Sequence, residues 1–245
     1  MLRNIFYYLL VVLFVNCEGV KSKQNNSAAI VLLLLQGGAS CISSSVAPIS
    51  NPGNVSSPTR TNYEVSGCSQ NSLSSIGFSG ENVSPGLTGT SNSSRISSNG
   101  NVLMGNDVNI EVTFILNSQN SYLDVVGRAY GSPSALSGPK VRFTNSTAQA
   151  FGTSGSSSNL GSGVLSTPVG QKTTYCIEFH EETDAHIILF PSSCSTVVSK
   201  GSPYSYDAEV STTFPGRGLG FILNGVTLTN FKVGTKIASS GSIQE

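Results

Sequence analysis

The chain of 245 residues contains no tryptophan, only two histidines and only 11% charged residues. Its 13 basic residues are balanced by 13 acidic ones. It therefore lacks the excess positive charge of a nucleic-acid-binding protein, and we expect no nucleic-acid partner. None of its five cysteines belongs to a Cys-x-x-Cys pair, which argues against a zinc site or a thioredoxin-type motif. No Gly-x-Ser-x-Gly elbow for a serine nucleophile occurs either.

Turn-forming residues are abundant instead. The chain has 26 glycines and 10 prolines, and serine, asparagine and threonine separate most of its apolar runs. This composition is typical of short β-strands joined by polar loops. In DVNIEVTFIL, residues 107–116, apolar and polar side chains alternate, which predicts a strand with one core face and one mostly solvated face. SYLDVVGRAY and KVRFTNSTAQAF predict further strands, separated by the turn cluster GSPSALSGP.

The C-terminal segment GLGFILNGVTLTNFKVG places Asn224 and Gly225 between two apolar runs. Because Asn-Gly accepts positive φ at both central turn positions, this dipeptide predicts a two-residue β-hairpin. Several antiparallel strands at short spacing, with no helical segment between them, indicate an all-β domain built as a two-sheet antiparallel sandwich.

The strand order resembles that of the concanavalin A-like (laminin G-like) jelly rolls. In that superfamily a strand with an alternating apolar face precedes one that ends near an arginine, as DVNIEVTFIL precedes LDVVGRAY here. The closing strand is similar to the family's Gly-x-x-Gly-Phe, although Gly218, Gly220 and Phe221 have one residue fewer between the glycines. The resemblance covers roughly residues 95–237 and implies a jelly roll of a class that commonly binds carbohydrates.

A leader-like segment, MLRNIFYYLLVVLFVN, occupies residues 1–16. After Arg3 it has an apolar run, residues 5–15, that is too short to span a bilayer and suits a secretory signal peptide. Cys17 follows directly, in LFVNC, which resembles the lipobox of bacterial lipoproteins. Asn16 stands where that box usually has Gly or Ala, a relaxed form similar to that of spirochaete (leptospiral-type) surface lipoproteins.

The lipobox resemblance implies a lipid such as palmitate on the sulfur of Cys17, with the membrane as a partner. It also implies attachment to a bacterial outer membrane, with the domain exposed at the cell surface. Two alternatives stay open. The segment is an ordinary signal peptide followed by an unrelated cysteine, or Cys41 carries the lipid after a second short apolar run, residues 28–35, in a lipobox-like GASC.

We predict three parts in the chain. Residues 1–16 are the lipoprotein signal peptide, and residues 17–60 are a lipidated N-terminus with a short apolar helix and a tether rich in Ser, Asn, Pro and Gly. Such a tether buries too little apolar surface to offset the entropy of ordering. Residues 61–245 form the β-sandwich domain.

The cysteine count suits an oxidising compartment. If Cys17 carries lipid, Cys41, Cys68, Cys176 and Cys194 remain, an even set with three possible connectivities. The spacing along the chain favours Cys41 with Cys68, and Cys176 with Cys194.

Both histidines lie between Cys176 and Cys194, in CIEFHEETDAHIILFPSSC. Alternating apolar residues on both sides of EETDA predict a hairpin in which His180 lies opposite His186. On the same register Cys176 faces Phe190, so the chain must turn back after Phe190 for the two sulfurs to meet. This interpretation makes the stretch a solvated hairpin stapled by a disulfide.

Two chemical hypotheses compete with the stapled hairpin. A zinc site would use both histidines with Glu178 or Asp184, but a catalytic site also needs a supporting shell and a pocket. A concanavalin-like glycosidase would use alternating carboxylates as acid and nucleophile. Glu178-x-His180-x-Glu182 has that spacing, but His180 replaces the central acid of the family motif. We therefore predict no catalytic residue, no metal and no other cofactor, and we expect the protein not to be an enzyme.

The function favoured by these observations is a membrane-anchored envelope lipoprotein whose β-sandwich binds a ligand, either a glycan or a host or matrix protein. One alternative is a structural envelope protein without a small ligand, and a second is a concanavalin-like glycoside hydrolase. The candidate binding residues near loops, which are more often packing residues, are Tyr122, Arg128, Tyr130, Tyr204 and Tyr206.

The lipid anchor is testable at Cys17. Each buried acyl methylene contributes about 0.8 kcal/mol to membrane affinity, so several acyl chains on one cysteine hold a protein that has no membrane span. We expect Cys17→Ser to move the protein from the detergent phase to the aqueous phase, and intact mass to show a lipidated wild-type N-terminus at Cys17. A mature chain that begins at Cys41 would shift the anchor, and two lipid-free cysteines would contradict the lipoprotein class.

Overall fold

The computed structural model divides into two compact units, Met1–Ala39 and Ser40–Glu245. All residues whose structure is described belong to the second unit. No helix in the described part of the chain is long and apolar enough to cross a membrane. The described residues are 42–48, 59–65, 70–103, 108–160, 165–181, 184–194, 206–211 and 213–235.

Within these ranges the chain forms thirteen β-strands and two 3-10 helices, Gln70–Ile76 and Pro133–Ala135. The strands are β1 (Ile42–Pro48), β2 (Thr59–Val65), β3 (Phe78–Glu81), β4 (Thr88–Ser98), β5 (Val108–Leu116), β6 (Tyr122–Ala129), β7 (Lys140–Phe143), β8 (Ala148–Phe151), β9 (Ser157–Asn159), β10 (Lys172–Glu181), β11 (Ala185–Phe190), β12 (Tyr206–Ser211) and β13 (Gly218–Thr235).

The strands form two antiparallel layers that share β13. The first part of β13 pairs with β4 and β6, and the last part pairs with β2 and β5. Sheet I therefore has the order β3-β4-β13-β6-β7-β8-β9, and sheet II the order β1-β2-β13-β5-β10-β11-β12. This arrangement confirms the predicted all-β, two-sheet antiparallel sandwich of the jelly-roll type.

The core lies between the two sheets. The ring of Phe143, from sheet I, stacks on Tyr175 from sheet II with centroids 4.6 Å apart, and Phe114 from sheet II lies 5.5 Å from Phe143. The inward residues of β5 are fully buried, as their alternation predicts. They are Val108, Ile110, Val112, Phe114 and Leu116.

The predicted hairpin at Asn224 and Gly225 is wrong. The strand continues through both residues, and Asn224 pairs with Thr90 on one side and Tyr122 on the other. Gly225 alone of the two has a positive φ, +67°, whereas the predicted turn needs positive φ at both positions. The dipeptide therefore makes an irregular bend in β13, at the place where the strand passes from sheet I to sheet II.

Two strands lie in or next to the predicted tether. β1 falls entirely within residues 17–60, and β2 begins at Thr59. β2 pairs along the last part of β13, with Phe231 opposite Tyr63, and β1 adds to the outer edge of β2. Each of these residues except Pro48 carries the backbone N–H and C=O groups that a ladder needs, so a Ser-rich segment can take part in a sheet. Cys17, Cys41, Cys68 and the predicted apolar helix lie outside the described residues.

The bend at Gly225 makes a quantitative prediction. Alanine at positive φ costs about 1 kcal/mol, and at Gly225 its Cβ would also overlap the Oγ of Ser121. That hydroxyl is held by the backbone N–H of Ser118 at 3.0 Å. Gly170 has a similar φ, +76°, and open space around its Cβ position, so Gly170→Ala is the matched control.

We expect Gly225→Ala to lower the free energy of unfolding by at least about 1 kcal/mol more than Gly170→Ala does. Urea denaturation followed by far-ultraviolet circular dichroism measures both values. Equal losses in the two variants would contradict the close approach of Gly225 to Ser121.

Candidate functional site

The two-histidine stretch forms a stapled hairpin. β10 and β11 pair with Cys176 opposite Phe190 and His180 opposite His186, as predicted. A disulfide joins Cys176 to Cys194 across a Cα–Cα distance of 4.9 Å, which confirms this predicted pairing. Residues 191–194 turn the chain back over the outer face of sheet II, where the two sulfurs pack with Ile188 and Phe190.

The outer face of this hairpin is buried, and the expectation of a solvated face with exposed acids is wrong. Glu178 is 1% exposed and Glu111, on the neighbouring β5, is 3% exposed. The predicted wet face of β5 is likewise covered at Asn109 and Thr113. Part of the cause lies in residues 191–194, which fold over the face and bind Glu111.

Glu111 links three separate segments. Its carboxylate accepts hydrogen bonds from Lys232 Nζ at 2.6 Å, Ser193 Oγ at 2.5 Å and the backbone N–H of Cys194 at 2.9 Å. Burial alone would raise the pKa of Glu111, but the hydrogen bonds and the positive charge of Lys232 outweigh it and hold the pKa below its ordinary value. The ionised carboxylate thus fastens the disulfide loop to sheet II.

The two histidines lie close together but do not form a metal site with other described residues. His180 Nδ1 lies 3.6 Å from Glu178 Oε1, and the rings of His180 and His186 meet edge to face at 6.3 Å. Among the described residues, no group of three or more His, Cys, Asp or Glu side chains is placed to hold a metal ion. Glu182, the third position of the glycosidase-like spacing, lies outside the described residues.

Tyr122 and Arg128 serve packing. Asp124 is fully buried and accepts two hydrogen bonds from Arg142, at 2.6 and 2.8 Å, and one from Lys140 at 2.8 Å. Arg142 in turn lies 4.0 Å above the Tyr122 ring. Arg128 is buried and donates to the carbonyl of Leu103 at 3.2 Å. Tyr204 and the side chain of Tyr206 lie outside the described residues.

Tyr130 lies at a cavity of about 450 Å³ on sheet I. It is 50% exposed and is the one large hydrophobic residue in the described structure that is exposed to solvent. Three segments far apart in sequence meet here, namely residues 97–101, 129–133 and 216–219, together with Ser79. Each lies at or near the end of a strand of sheet I.

The Tyr130 side of the cavity is held by a closed loop. Tyr130 and Ser137 exchange two backbone hydrogen bonds, at 2.9 and 3.1 Å, and the Ala135 N–H donates to the Ser132 carbonyl at 3.0 Å. Arg95 Nη1 donates to the carbonyl of Ser134 at 3.1 Å and ties this loop to β4. The backbone of Tyr130 is therefore fixed before any ligand arrives.

The rest of the lining joins the end of β4 to the start of β13. Ser98 Oγ donates to the Gly100 carbonyl at 2.8 Å and accepts from the Leu219 N–H at 3.0 Å. Gly216 approaches Ala129 so closely that a Cβ would overlap the Ala129 carbonyl. Ser79 Oγ donates to Asn99 Oδ1 at 2.5 Å on the same wall.

The lining is polar but carries little charge. Among the described residues around the cavity there is one cation, Arg217, and neither a carboxylate nor a histidine. Hydroxyls and amides offer both donors and acceptors, and Tyr130 adds an apolar ring with a polar tip. This arrangement suits a small polar ligand that also has an apolar face.

Comparisons with known proteins give fold-level likeness only. No protein-family model and no curated protein sequence matches the chain. A protein of unknown function from Shewanella oneidensis is 10% identical, with a TM-score of 0.39 over 91% of this chain and 99% of its own. A carbohydrate-binding module from Bacillus subtilis is 13% identical, with a TM-score of 0.35 over 80% and 93%. A β-glucanase from Bacillus licheniformis is 8% identical, with a TM-score of 0.38 over 82% and 92%. With TM-scores below 0.5, these likenesses carry no functional argument.

Of the residues that line the cavity, only Tyr130 was predicted from the sequence as a candidate binding residue. The other lining residues are mainly Ser, Asn and Gly at strand ends, which in sequence indicate turns. A tyrosine directly after a strand and before Gly-Ser-Pro was the available signal, because a turn at that place leaves the ring near the surface.

The contribution of the Glu111 carboxylate to stability can be tested by substitution. Glu111→Gln removes the charge that pairs with Lys232, and we expect it to lower the free energy of unfolding at neutral pH by about 1.5–3 kcal/mol. Because the folded pKa is the lower one, the carboxylate stabilises the fold above its unfolded pKa of about 4.3. That contribution disappears as the pH falls through the folded pKa.

Urea midpoints measured from neutral pH down through this range should therefore fall more for the wild type than for Glu111→Gln. Glu209→Gln, at an exposed residue on β12, is the control and should follow the wild type. Parallel pH curves for wild type and Glu111→Gln would contradict the structural role of this carboxylate.

Proposed function

We propose that the protein is a glycan-binding β-sandwich whose binding site is the cavity beside Tyr130. The observation that carries the proposal is a half-exposed aromatic ring next to a rigid, polar cavity of about 450 Å³. A sugar ring has hydroxyls around its edge and apolar C–H groups on its face. Ligand sites typically combine such an apolar surface with a few fixed polar groups.

The wall residues match the two chemistries of a sugar. The half-exposed Tyr130 side chain offers an aromatic ring for the C–H groups and a polar hydroxyl at its tip. Asn99, Asn101 and Ser132 are exposed residues on the lining and provide amide and hydroxyl groups for the sugar hydroxyls. Because the loops are already closed by backbone hydrogen bonds, little ordering entropy is lost on binding.

We propose binding rather than catalysis at this site. Glycoside hydrolysis by the common mechanisms needs two carboxyl groups across the scissile bond, and the described lining residues supply none. We propose further that a lipid on Cys17 displays the domain from a cell envelope. The lipobox-like LFVNC supports this part of the proposal.

The test is a glycan array with the full-length protein, followed by titration of the best saccharide. We expect Tyr130→Ala to weaken binding roughly tenfold, since an aromatic contact contributes about 1 kcal/mol or more. Tyr130→Phe should stay within a few-fold of the wild type if the ring face makes the contact. Equal melting temperatures would show that both variants are folded.

Tyr122→Ala is the control for a tyrosine on the same sheet outside the cavity lining, and it should leave binding unchanged. A saccharide that binds equally well to wild type and Tyr130→Ala would place the site elsewhere. An array without any bound saccharide would favour the structural alternative, an envelope protein without a small ligand.

A further inference from the structure

The charge in the cavity lining is positive. Arg217 is the single charged residue among its described lining residues, and no described carboxylate shares the lining. The whole chain is neutral, with 13 basic and 13 acidic residues, so the cation is not explained by an excess of positive charge in the chain. A lone arginine in a polar cavity is a feature that ordinary recognition of a neutral sugar does not require.

The position of Arg217 is fixed by its backbone. Its carbonyl accepts hydrogen bonds from the N–H groups of Val102 and Leu103, at 3.0 and 2.9 Å. Gly216 and Gly218 flank it in the chain, and both also line the cavity, so neither sequence neighbour adds a side chain there. Arg217 itself is exposed. A long side chain thus extends from an anchored backbone at the edge of the cavity.

We infer that the cavity binds an acidic saccharide and that Arg217 binds its carboxylate. The inference rests on the proposed glycan binding and names the class of ligand. A guanidinium matches a carboxylate with two parallel N–H donors, and such charge-assisted hydrogen bonds are about twice as strong as neutral ones. Tyr130 directly follows Ala129, and Arg217 directly precedes Gly218, the residue that pairs with Ala129. A bound sugar would therefore meet an aromatic contact and a charge contact at the ends of two neighbouring strands.

The sugar class that fits is a hexuronic acid, because it carries a carboxylate directly on a pyranose ring. Its C–H face would meet the Tyr130 ring while its acid group meets Arg217. A sulfated sugar offers an anion too, but its sulfate is joined through an ester oxygen and lies farther from the ring than a carboxylate carried directly on it. The ring hydroxyls remain available for the serine and asparagine groups of the lining.

The experiment compares three oligosaccharides of equal length by calorimetry with the full-length protein. One is an oligouronate, the second is the same oligouronate after reduction of its carboxyl groups to alcohols, and the third is a sulfated neutral oligosaccharide. We expect the oligouronate to bind about tenfold or more tightly than its reduced form. We also expect this preference to shrink at high salt, because an exposed charge pair is screened.

The variants assign the preference to one side chain. Arg217→Gln should abolish the preference for the oligouronate while binding of the reduced form changes little. Arg217→Lys should keep only part of the preference, since an ammonium lacks the two-pronged geometry. Lys172→Gln makes the same charge change at an exposed position on sheet II and should leave the preference intact.

The outcomes separate the two proposals. Equal affinity for the oligouronate and its reduced form would overturn the acidic-sugar inference while glycan binding stands. Tighter binding of the sulfated sugar would overturn the assignment to a carboxylate. Failure of all three saccharides to bind, together with an empty array, would overturn the inference along with the proposed function. A preference that survives Arg217→Gln would remove Arg217 from the site.

Discussion

The fold depends on one strand, β13, that belongs to both sheets. A strand has only two edges for hydrogen bonds, yet β13 pairs with four strands in the described structure. It does so by exchanging partners along its length, with the bend at Asn224 and Gly225 between the two sets. The register of this strand therefore fixes the position of both layers at once.

The cavity takes its shape from the same strand. Ser97 and Ala129 come together because both pair with the first residues of β13, Ser97 with Gly220 and Ala129 with Gly218. The loops that follow these residues are carried to one end of sheet I, where they enclose the cavity. Loops with exposed polar groups on a rigid sheet are the usual place for binding residues. The proposed glycan site and the two sheets would thus both depend on β13.

The sequence predicted the structural features that depend on residues close together in the chain. The period of two in β5 identified all five of its inward residues, because side chains of a strand alternate regardless of what covers them. The short connection between β10 and β11 fixed the pairing of His180 with His186. Short spacing along the chain favoured Cys194 over the other cysteines as the partner of Cys176, and the disulfide joins these two. The register itself places Phe190 opposite Cys176, so the turn that returns Cys194 was needed in addition.

Features that depend on residues far apart in the chain could not be predicted from the sequence. Asn224-Gly225 favours a hairpin in isolation, but pairing of the flanking residues with β4 and β6 overrides the local turn preference. Glu111 has the alternation of a solvated residue, but it is buried, and the returning disulfide loop and Lys232 bind its carboxylate. Arg217 differs from Glu111, because its backbone carbonyl is hydrogen-bonded within the fold while its charged side chain is exposed at a cavity. A charge paired within the fold stabilises it, whereas a charge held at an open cavity is available to a ligand, and sequence alone does not distinguish the two.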